Sequence, residues 1–438
     1  MRSPTVGALL ALVSVPFCMV LSNSLLIPVL PSIQRGAHLS AFQAGLLITA
    51  FSVTAGLVIP FGGYFSDQIG RKAVIVPALG LFGLGGLLAG LAPLFSSHPF
   101  AWLVAGRLIQ GIGGGGTYQV AMALAGDIYR GGERVKVLGT LEAANGAGKV
   151  AAPIIGSALG VLGWMVPFFF YPLASWSAAA AVLWLIPPPR ARGTRRKRAL
   201  RAYLGDLGEV FRQKGGPLAI LFAVGFVALF ILFGFLSYYS DLLESFWGVK
   251  GFVKGWIMAI PVGAMALLSY LTGRVLRQRI QRWSRALLIG GLALGAAGFV
   301  LSAWWLRSLW GLTAAVTLVG VGNGLLLPPV NTLVTNSVGP AKRGLITALY
   351  GTARFFGAAL GPPVFTRVAD LNRPLVSWGA AGLLALALLL VGTGIHPAAL
   401  RNWTAAPAGR DAPAGAVHAA VEREPRRPEE SLRPQGGH

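Results

Sequence analysis

Apolar residues run along this chain in blocks of roughly twenty, with few charges inside the blocks and short polar stretches between them. A block of that length crosses about 30 Å of hydrocarbon as an α-helix rising about 1.5 Å per residue. The pattern predicts twelve spans, at residues 7–30, 40–65, 73–93, 101–125, 137–160, 164–187, 217–240, 251–272, 285–303, 310–335, 344–368 and 375–396. The first, Gly7 to Leu30, lacks a small-residue cleavage site, so we expect a retained helix and not a signal peptide. Composition agrees, because a chain of 438 residues that is 55% hydrophobic and 12% charged cannot cover a soluble surface with charge. The expected fold class is an all-α polytopic membrane protein of twelve transmembrane helices.

Charge then sets orientation. A net charge of +23 would suggest nucleic acid in a soluble protein, but its distribution argues against that partner. With both termini inside, the inside loops hold Arg71 and Lys72, then Arg130, Arg134 and Lys136, and the run from Arg190 to Lys214. They also hold Arg274, Arg277, Arg279, Arg282, Arg285, Lys342 and Arg343. The outside loops hold Arg35, Lys250, Lys254, Arg307, Arg367 and Arg373. This asymmetry follows the positive-inside rule and predicts cytoplasmic termini. A single cysteine, Cys18, excludes an internal disulfide and a cysteine-cluster metal site, and the five histidines lack metal-ligand spacing. We expect no metal and no cofactor.

Four regions follow. Residues 1–187 and 217–396 form two sets of six spans, joined by the basic stretch 188–216 and followed by a polar tail, 397–438, expected to be disordered in the cytoplasm. Pro187, Pro188 and Pro189 end the sixth span. The basic stretch reads equally well as an interfacial helix on the anionic leaflet or as a solvated linker. The two sets repeat at an offset of 209: "GIGGG" at 111–115 matches "GVGNG" at 320–324. In the same register Arg134 falls on Arg343, Gly148 on Gly357, and Ala152-Pro153 on Gly361-Pro362. Parallel repeats of six helices, related by an axis along the membrane normal, describe a known transporter architecture.

Two stretches mimic nucleotide sites. "ANGAGKVAAP" places a glycine before Lys149, but Ala143 and Val150 stand where a phosphate loop needs Gly and Ser or Thr. Gly111, Gly113 and Gly116 satisfy G-x-G-x-x-G inside a span and not after a strand, so close helix packing is the expected role.

On these motifs the chain resembles the major facilitator superfamily over residues 1 to 396. "GGYFSDQIGRKAVIV" resembles the family's loop signature, with Gly63, Asp67, Gly70, Arg71 and Lys72 at the expected spacing and Gln68 where a basic residue is usual. "LVAGRLIQGIGGG" resembles its span-four pattern, with Arg107 as the intramembrane arginine. "GKVAAPIIG" is similar to the glycine-proline signature of the twelve-helix drug/proton antiporter group, carried by Gly148, Pro153 and Gly156, with Ala152 replacing the usual glycine. The second half carries the intact form, Gly357, Gly361 and Pro362. The resemblance implies two pseudo-symmetric six-helix bundles, the multi-pass cytoplasmic membrane, a monomer and export. "LEAANGAGKVAAPIIGS" is also similar to exporters of acidic secondary metabolites such as catecholate siderophores.

The candidate chemistry is set by charges inside the spans. Asp67, with Gly63, Gly70, Arg71, Lys72 and Arg134, is a candidate gate: an ion pair there would hold the halves in one state and release them in another, or else cap a static loop. A lysine near the bilayer centre costs about 2.5–3.5 kcal/mol, so Lys149 should face a polar cavity or a partner. Glu142, Asn145 and Lys149 share one helix face, with Glu142 about 10 Å from Lys149 along the axis. Arg354 occupies the repeat position of Asn145. Arg107, Lys149 and Arg354 against Glu142 bias the cavity toward anions, although Lys149 and Arg354 bonded to helix-end carbonyls would also satisfy them. Asn23, Tyr238 and Tyr239 complete the cavity candidates. Glu142 is the first candidate proton carrier and Asp67 the second, with Arg107 tuning that step.

We therefore expect a secondary exporter of anionic or amphipathic small molecules, working by alternating access, with proton exchange as the coupling to be tested. An importer or uniporter of organic anions, a multidrug exporter of lipophilic cations and a non-transporting sensor are the alternatives. No nucleophile–base pairing or complete phosphate loop supports an enzyme.

Overall fold

The computed structural model describes residues 6–129, 131–186, 200–338 and 342–395, and among them the backbone is helix with short connections. The helices are α1 (Val6–Ser24), α2 (Leu30–Gly36), α3 (Ala41–Ile69), α4 (Arg71–Phe95), α5 (Phe100–Gly115), α6 (Tyr118–Ile128) and α7 (Gly131–Leu162). They continue as α8 (Val166–Leu185), α9 (Leu200–Ser245), α10 (Gly251–Trp304), α11 (Leu309–Asn336), α12 (Arg343–Leu371) and α13 (Arg373–Gly394). A 3-10 turn, Ile27–Val29, joins α1 to α2, so the first span is bent where Pro28 lacks an amide donor. The proposed tail, the prolines Pro187, Pro188 and Pro189 expected to end the sixth span, and residues 188–199 of the basic stretch lie outside the described residues.

Local chemistry explains the boundaries. Ser40 starts α3 with a capping box, its hydroxyl accepting from the Gln43 amide at 3.1 Å while the Gln43 side chain accepts from the Ser40 amide at 2.9 Å. Gly70 ends α3 and begins α4 at φ +103°, a backbone shape that disfavours any side chain. Span four, expected as one helix, divides at Gly115–Tyr118. There the Thr117 hydroxyl donates to the Gly114 carbonyl at 2.7 Å, and the glycine run supplies little helix propensity to resist. Conversely, α9 begins at Leu200, so residues 200–216 of the basic stretch, for which a helix and a linker were both open, are helical and continue into the seventh span.

Spans eight and nine follow one another with no non-helical residue between them, together forming α10. Both of its ends nonetheless pack on the same part of α11: a Cβ at Gly320 would lie 2.4 Å from the Pro261 carbonyl, and one at Gly322 2.5 Å from the Gly291 carbonyl. A straight helix would separate Pro261 and Gly291 by about 45 Å. The chain therefore reverses between the two apolar segments, Gly251–Arg274 and Trp283–Trp304.

Nine segments among the described residues are long and apolar enough to cross a membrane by length and composition. The helices of spans four, five and eleven, α5, α7 and α12, fall short of that measure. They are held in the bundle by close packing. A Cβ at Gly111 would lie 2.6 Å from the Phe51 carbonyl, and one at Gly113 2.4 Å from the Ala78 carbonyl.

The sequence repeat is also a repeat of contacts. Gly148 packs on Phe17, and 209 residues later Gly357 packs on Phe226. Gly113 meets Phe82, and Gly322 meets Gly291. In two further pairs the glycine changes sides: Gly106 against Ala89 becomes Ala315 against Gly298, and Gly156 against Leu25 becomes Phe365 against Gly234. What recurs is a crossing that leaves room for one small residue, on either helix.

The halves meet along two seams. In one, Gly45 of α3 lies against Pro362 and Pro363 of α12, the Thr49 hydroxyl donates to the Ala359 carbonyl at 2.6 Å, and Thr352 donates to the Gly56 carbonyl at 2.7 Å. In the other, Gly255 of α10 lies against Pro153 and Ser157 of α7. Both prolines of the paired signatures therefore face a glycine of the other half. At the other ends of the four seam helices, the end bearing Arg71 and Lys72, a Cβ at Gly63, Gly139, Gly273 or Gly344 would meet nothing within 4 Å. Among the described residues the halves therefore touch through glycines at one end of the seams and not through these four glycines near the basic end.

Candidate functional site

Between the seams lie the charges of α7 and α12. Glu142 is exposed, and its carboxylate accepts a short hydrogen bond from the Tyr118 hydroxyl of α6. Asn145 and Lys149 are half-buried on the same face of α7. Arg354, half-buried on α12, lies close enough for its charge to act on both Lys149 and Tyr118. Among the described residues neither Lys149 nor Arg354 has a hydrogen-bond or ion-pair partner. Arg354 makes one ring contact, its guanidinium lying 5.5 Å from the centre of Tyr350. Its buried Nε and the buried Tyr350 hydroxyl both lack hydrogen-bond partners. Among the described residues neither cation is spent on helix-end carbonyls, so their hydrogen-bonding capacity is left unused.

Arg107 is placed differently. It is fully buried, with Nε donating to the Leu47 carbonyl at 3.0 Å, Nη2 to Asn23 at 2.5 Å and Nη1 to Gln110 in a short hydrogen bond. The Phe51 ring stacks 4.6 Å from the guanidinium, and Asn23 donates onward to Ser52 at 2.7 Å. The fork geometry of the guanidinium joins α1, α3 and α5 in one clamp. Arg107 and Asn23, expected at the cavity, are therefore buried inside the first half, because neutral acceptors on three helices capture them before they reach open space.

The two tyrosines part company. Tyr239 is fully buried, its hydroxyl 2.6 Å from that of Thr313 within the second half. Tyr238 lines a cavity of about 300 Å³ at the far end of the seam, with Asp241, Asp370 and Arg373. Helical rotation separates these sequence neighbours by about 100°.

The loop signature gathers the basic end of the first half. Arg71 pairs with Asp67 at 2.5 Å, one turn back, and reaches Asp127 of α6 at 3.4 Å and the Ser66 hydroxyl at 2.5 Å. Lys72 donates to the Leu183 and Ile186 carbonyls at 2.5 and 2.8 Å, capping α8 where free carbonyls favour a cation. Arg134 lies across Gly126 in the last turn of α6. Each of these contacts lies within the first half, so the contacts just described tie helices of one bundle together.

Among the described residues, an ion pair crosses between the halves at the opposite end. Arg35 of α2 pairs closely with Glu244 of α9, which also binds Lys254 of α10 at 3.0 Å. Sequence reasoning left Arg35 and Lys254 as ordinary loop charges and passed over Glu244. A signal was present: Arg35 and Glu244 are separated by 209 residues, the repeat offset. Tyr118 carried no sequence signal, since only packing brings it beside Glu142, whereas Tyr350 stands one turn before Arg354 on α12, an i, i+4 spacing that sequence reasoning passed over.

A bundle of apolar helices with an internal contact repeat and cations set within its spans has the architecture of a membrane transporter. The Major Facilitator Superfamily model matches residues 12–362, and the chain belongs to that family. It is 37% identical to the bacillibactin exporter of Bacillus subtilis (strain 168), over 82% of this chain and 88% of that protein. It is 28% identical to the multidrug efflux protein YfmO of the same organism, over 83% of this chain and 88% of that one. The crystal structure of the human organic anion transporter MFSD10 (TETRAN) shares the fold at a TM-score of 0.68 and 21% identity, covering 89% of this chain and all of that one. The protein is a multi-pass membrane transporter and not an enzyme.

Proposed function

We propose that this transporter exports small organic anions, with Lys149 and Arg354 as the substrate's charge partners and the basic end facing the cytoplasm. The observation that carries the reading is that both cations are unpartnered where an unpaired charge is costly, so an anionic ligand gains most by supplying the missing acceptors. The direction is supported by the 37% identity to a protein named as a bacillibactin exporter. The free space around Gly63, Gly139, Gly273 and Gly344 near the basic end supports loading from the cytoplasm in this conformation, followed by rocking of the two bundles about the seam prolines, with the chain acting as a monomer. Asp67, Arg71, Lys72 and Arg134 then act on the cytoplasmic side, holding the first bundle rigid as it moves.

For the coupling ion, Glu142 is favoured over Asp67 because it is exposed on the face of α7 that carries Lys149, whereas Asp67 is held by Arg71. An anion on Lys149 draws a proton onto Glu142 and does not expel one, so direct electrostatics favours loading both together. Exchange for protons therefore requires Glu142 to load after the substrate has left. Glu142→Gln should abolish proton-driven transport while sparing anion binding; unaltered proton-driven transport would remove Glu142 from the mechanism.

The site itself is tested by thermal stabilisation of the purified protein with matched panels of organic anions and lipophilic cations. Ligand at a hundredfold excess over its dissociation constant contributes about 2.7 kcal/mol. Anions should stabilise wild type and fail on Lys149→Ala and Arg354→Ala. Equal stabilisation of all three proteins by cations would favour the second reading, a multidrug exporter, which the 28% identity to a multidrug efflux protein supports.

A further inference from the structure

At the closed end of the seam, α2, α7, α9 and α10 enclose a cavity of about 360 Å³. Its charged walls are Arg35, Lys250 and Lys254 together with one carboxylate, Glu244. Both halves contribute, and cations outnumber anions. Two polar members are almost fully buried: Lys254, 2% exposed, and Ser157, 4% exposed, whose hydroxyl has no hydrogen-bond partner. The neighbouring cavity beyond α9, holding Asp241, Asp370 and Arg373, has the opposite balance.

The pairing of Arg35 with Glu244 has a symmetry meaning. These residues occupy equivalent positions in the two repeats, and a residue can touch its own equivalent only beside the axis that relates the halves. When this end opens, contacts across the axis must part. The Glu244–Lys254 pair lies within the second half and can persist. Breaking the Arg35–Glu244 pair is thus a step that opening requires.

We propose that this cavity is an anion-binding exit site, closed in this conformation by the protein's own Glu244 carboxylate. A departing organic anion, carrying a carboxylate or phenolate, competes with Glu244 for Arg35 and Lys254, and Ser157 supplies a neutral donor. Displacing Glu244 releases the pair that spans the halves, and the same cations then hold the anion at the outer face. The sign of the adjoining cavity steers anions toward this one. The inference rests on the reading of the central site as anion-binding, but it uses separate residues.

The test uses the full-length protein in right-side-out vesicles with the buried Cys18 replaced by serine and Ser32, on the cavity wall, replaced by cysteine. Membrane-impermeant thiosulfonate reagents bearing a sulfonate or a trimethylammonium group are added outside, and each rate is normalised to its rate with a free thiol. The sulfonate reagent should react faster by roughly fivefold or more, as expected of a focused positive field. Glu244→Gln should raise both rates and widen the ratio. Arg35→Gln and Lys254→Gln should narrow it, and external benzoate should protect the cysteine from the sulfonate reagent. A ratio of one or below in the wild-type and Glu244→Gln backgrounds, or no rate increase with Glu244→Gln, overturns the proposal. Lys149→Ala run in parallel keeps the two sites apart, because the outer ratio should survive a variant that loses central binding. A persistent ratio in a protein that binds no anion centrally would sustain the exit site and remove the central reading.

Discussion

Arg107 and the pair Lys149–Arg354 are cations inside the same membrane protein, yet the structure treats them in opposite ways. Arg107 is surrounded by neutral acceptors from three helices and by an aromatic face, with every part of its fork engaged. Lys149 and Arg354 stand half-buried without a hydrogen-bond or ion-pair partner among the described residues. A satisfied buried charge fixes helices relative to one another. An unsatisfied one, on the function proposed above, keeps its binding capacity for a ligand. Intramembrane charge by itself marks importance, and the state of its hydrogen bonds tells which kind.

The largest effect that would sharpen this contrast is on Arg107. Arg107→Ala should lower stability in detergent by about 3 kcal/mol or more, since hydrogen bonds to a charged group contribute about 1.5–3 kcal/mol each. Arg107→Lys should fail to rescue it, because an ammonium cannot span three acceptors. A normal melting temperature for either variant breaks the distinction. Next, Lys149→Ala and Arg354→Ala should leave unliganded melting unchanged or higher, while transport of an organic anion falls by about tenfold to a hundredfold, the loss of one charge-assisted contact. A melting temperature that falls as far as that of Arg107→Ala would make them structural. At the crossings, Gly357→Ala should cost about 1–3 kcal/mol, because its Cβ would lie 2.1 Å from the Phe226 carbonyl. The smallest effect is Gly63→Ala, expected within about 0.5 kcal/mol of wild-type stability because nothing lies within 4 Å. Any deficit it shows in transport then reports closure of the basic end.

Much of the architecture was legible because span length, charge asymmetry and the 209-residue offset are one-dimensional signals. Span boundaries failed where local chemistry intervened, as at the Gly115–Thr117 break and in the helix that starts at Leu200. Site residues were legible only as costs. Lys149 and Arg354 announced themselves as expensive in hydrocarbon, and so did Arg107, although its environment turned out to be complete. The Arg35–Glu244–Lys254 cluster was obscured because each residue sits near a span end, where charge is cheap and ordinary. Only the repeat offset hinted that two of them would meet.

The sequence by itself determined that this chain crosses a membrane repeatedly, that its two halves are related, and that cations lie where hydrocarbon makes them costly. Those properties follow from transfer free energies and from periodicity, which each residue carries wherever it is placed. The tertiary structure decided which cations are satisfied, which side of each crossing yields to a small residue, and which end of the seam is shut. Such outcomes depend on acceptors supplied by helices far apart in the chain, and a hydrogen bond exists only when folding has brought both partners within reach.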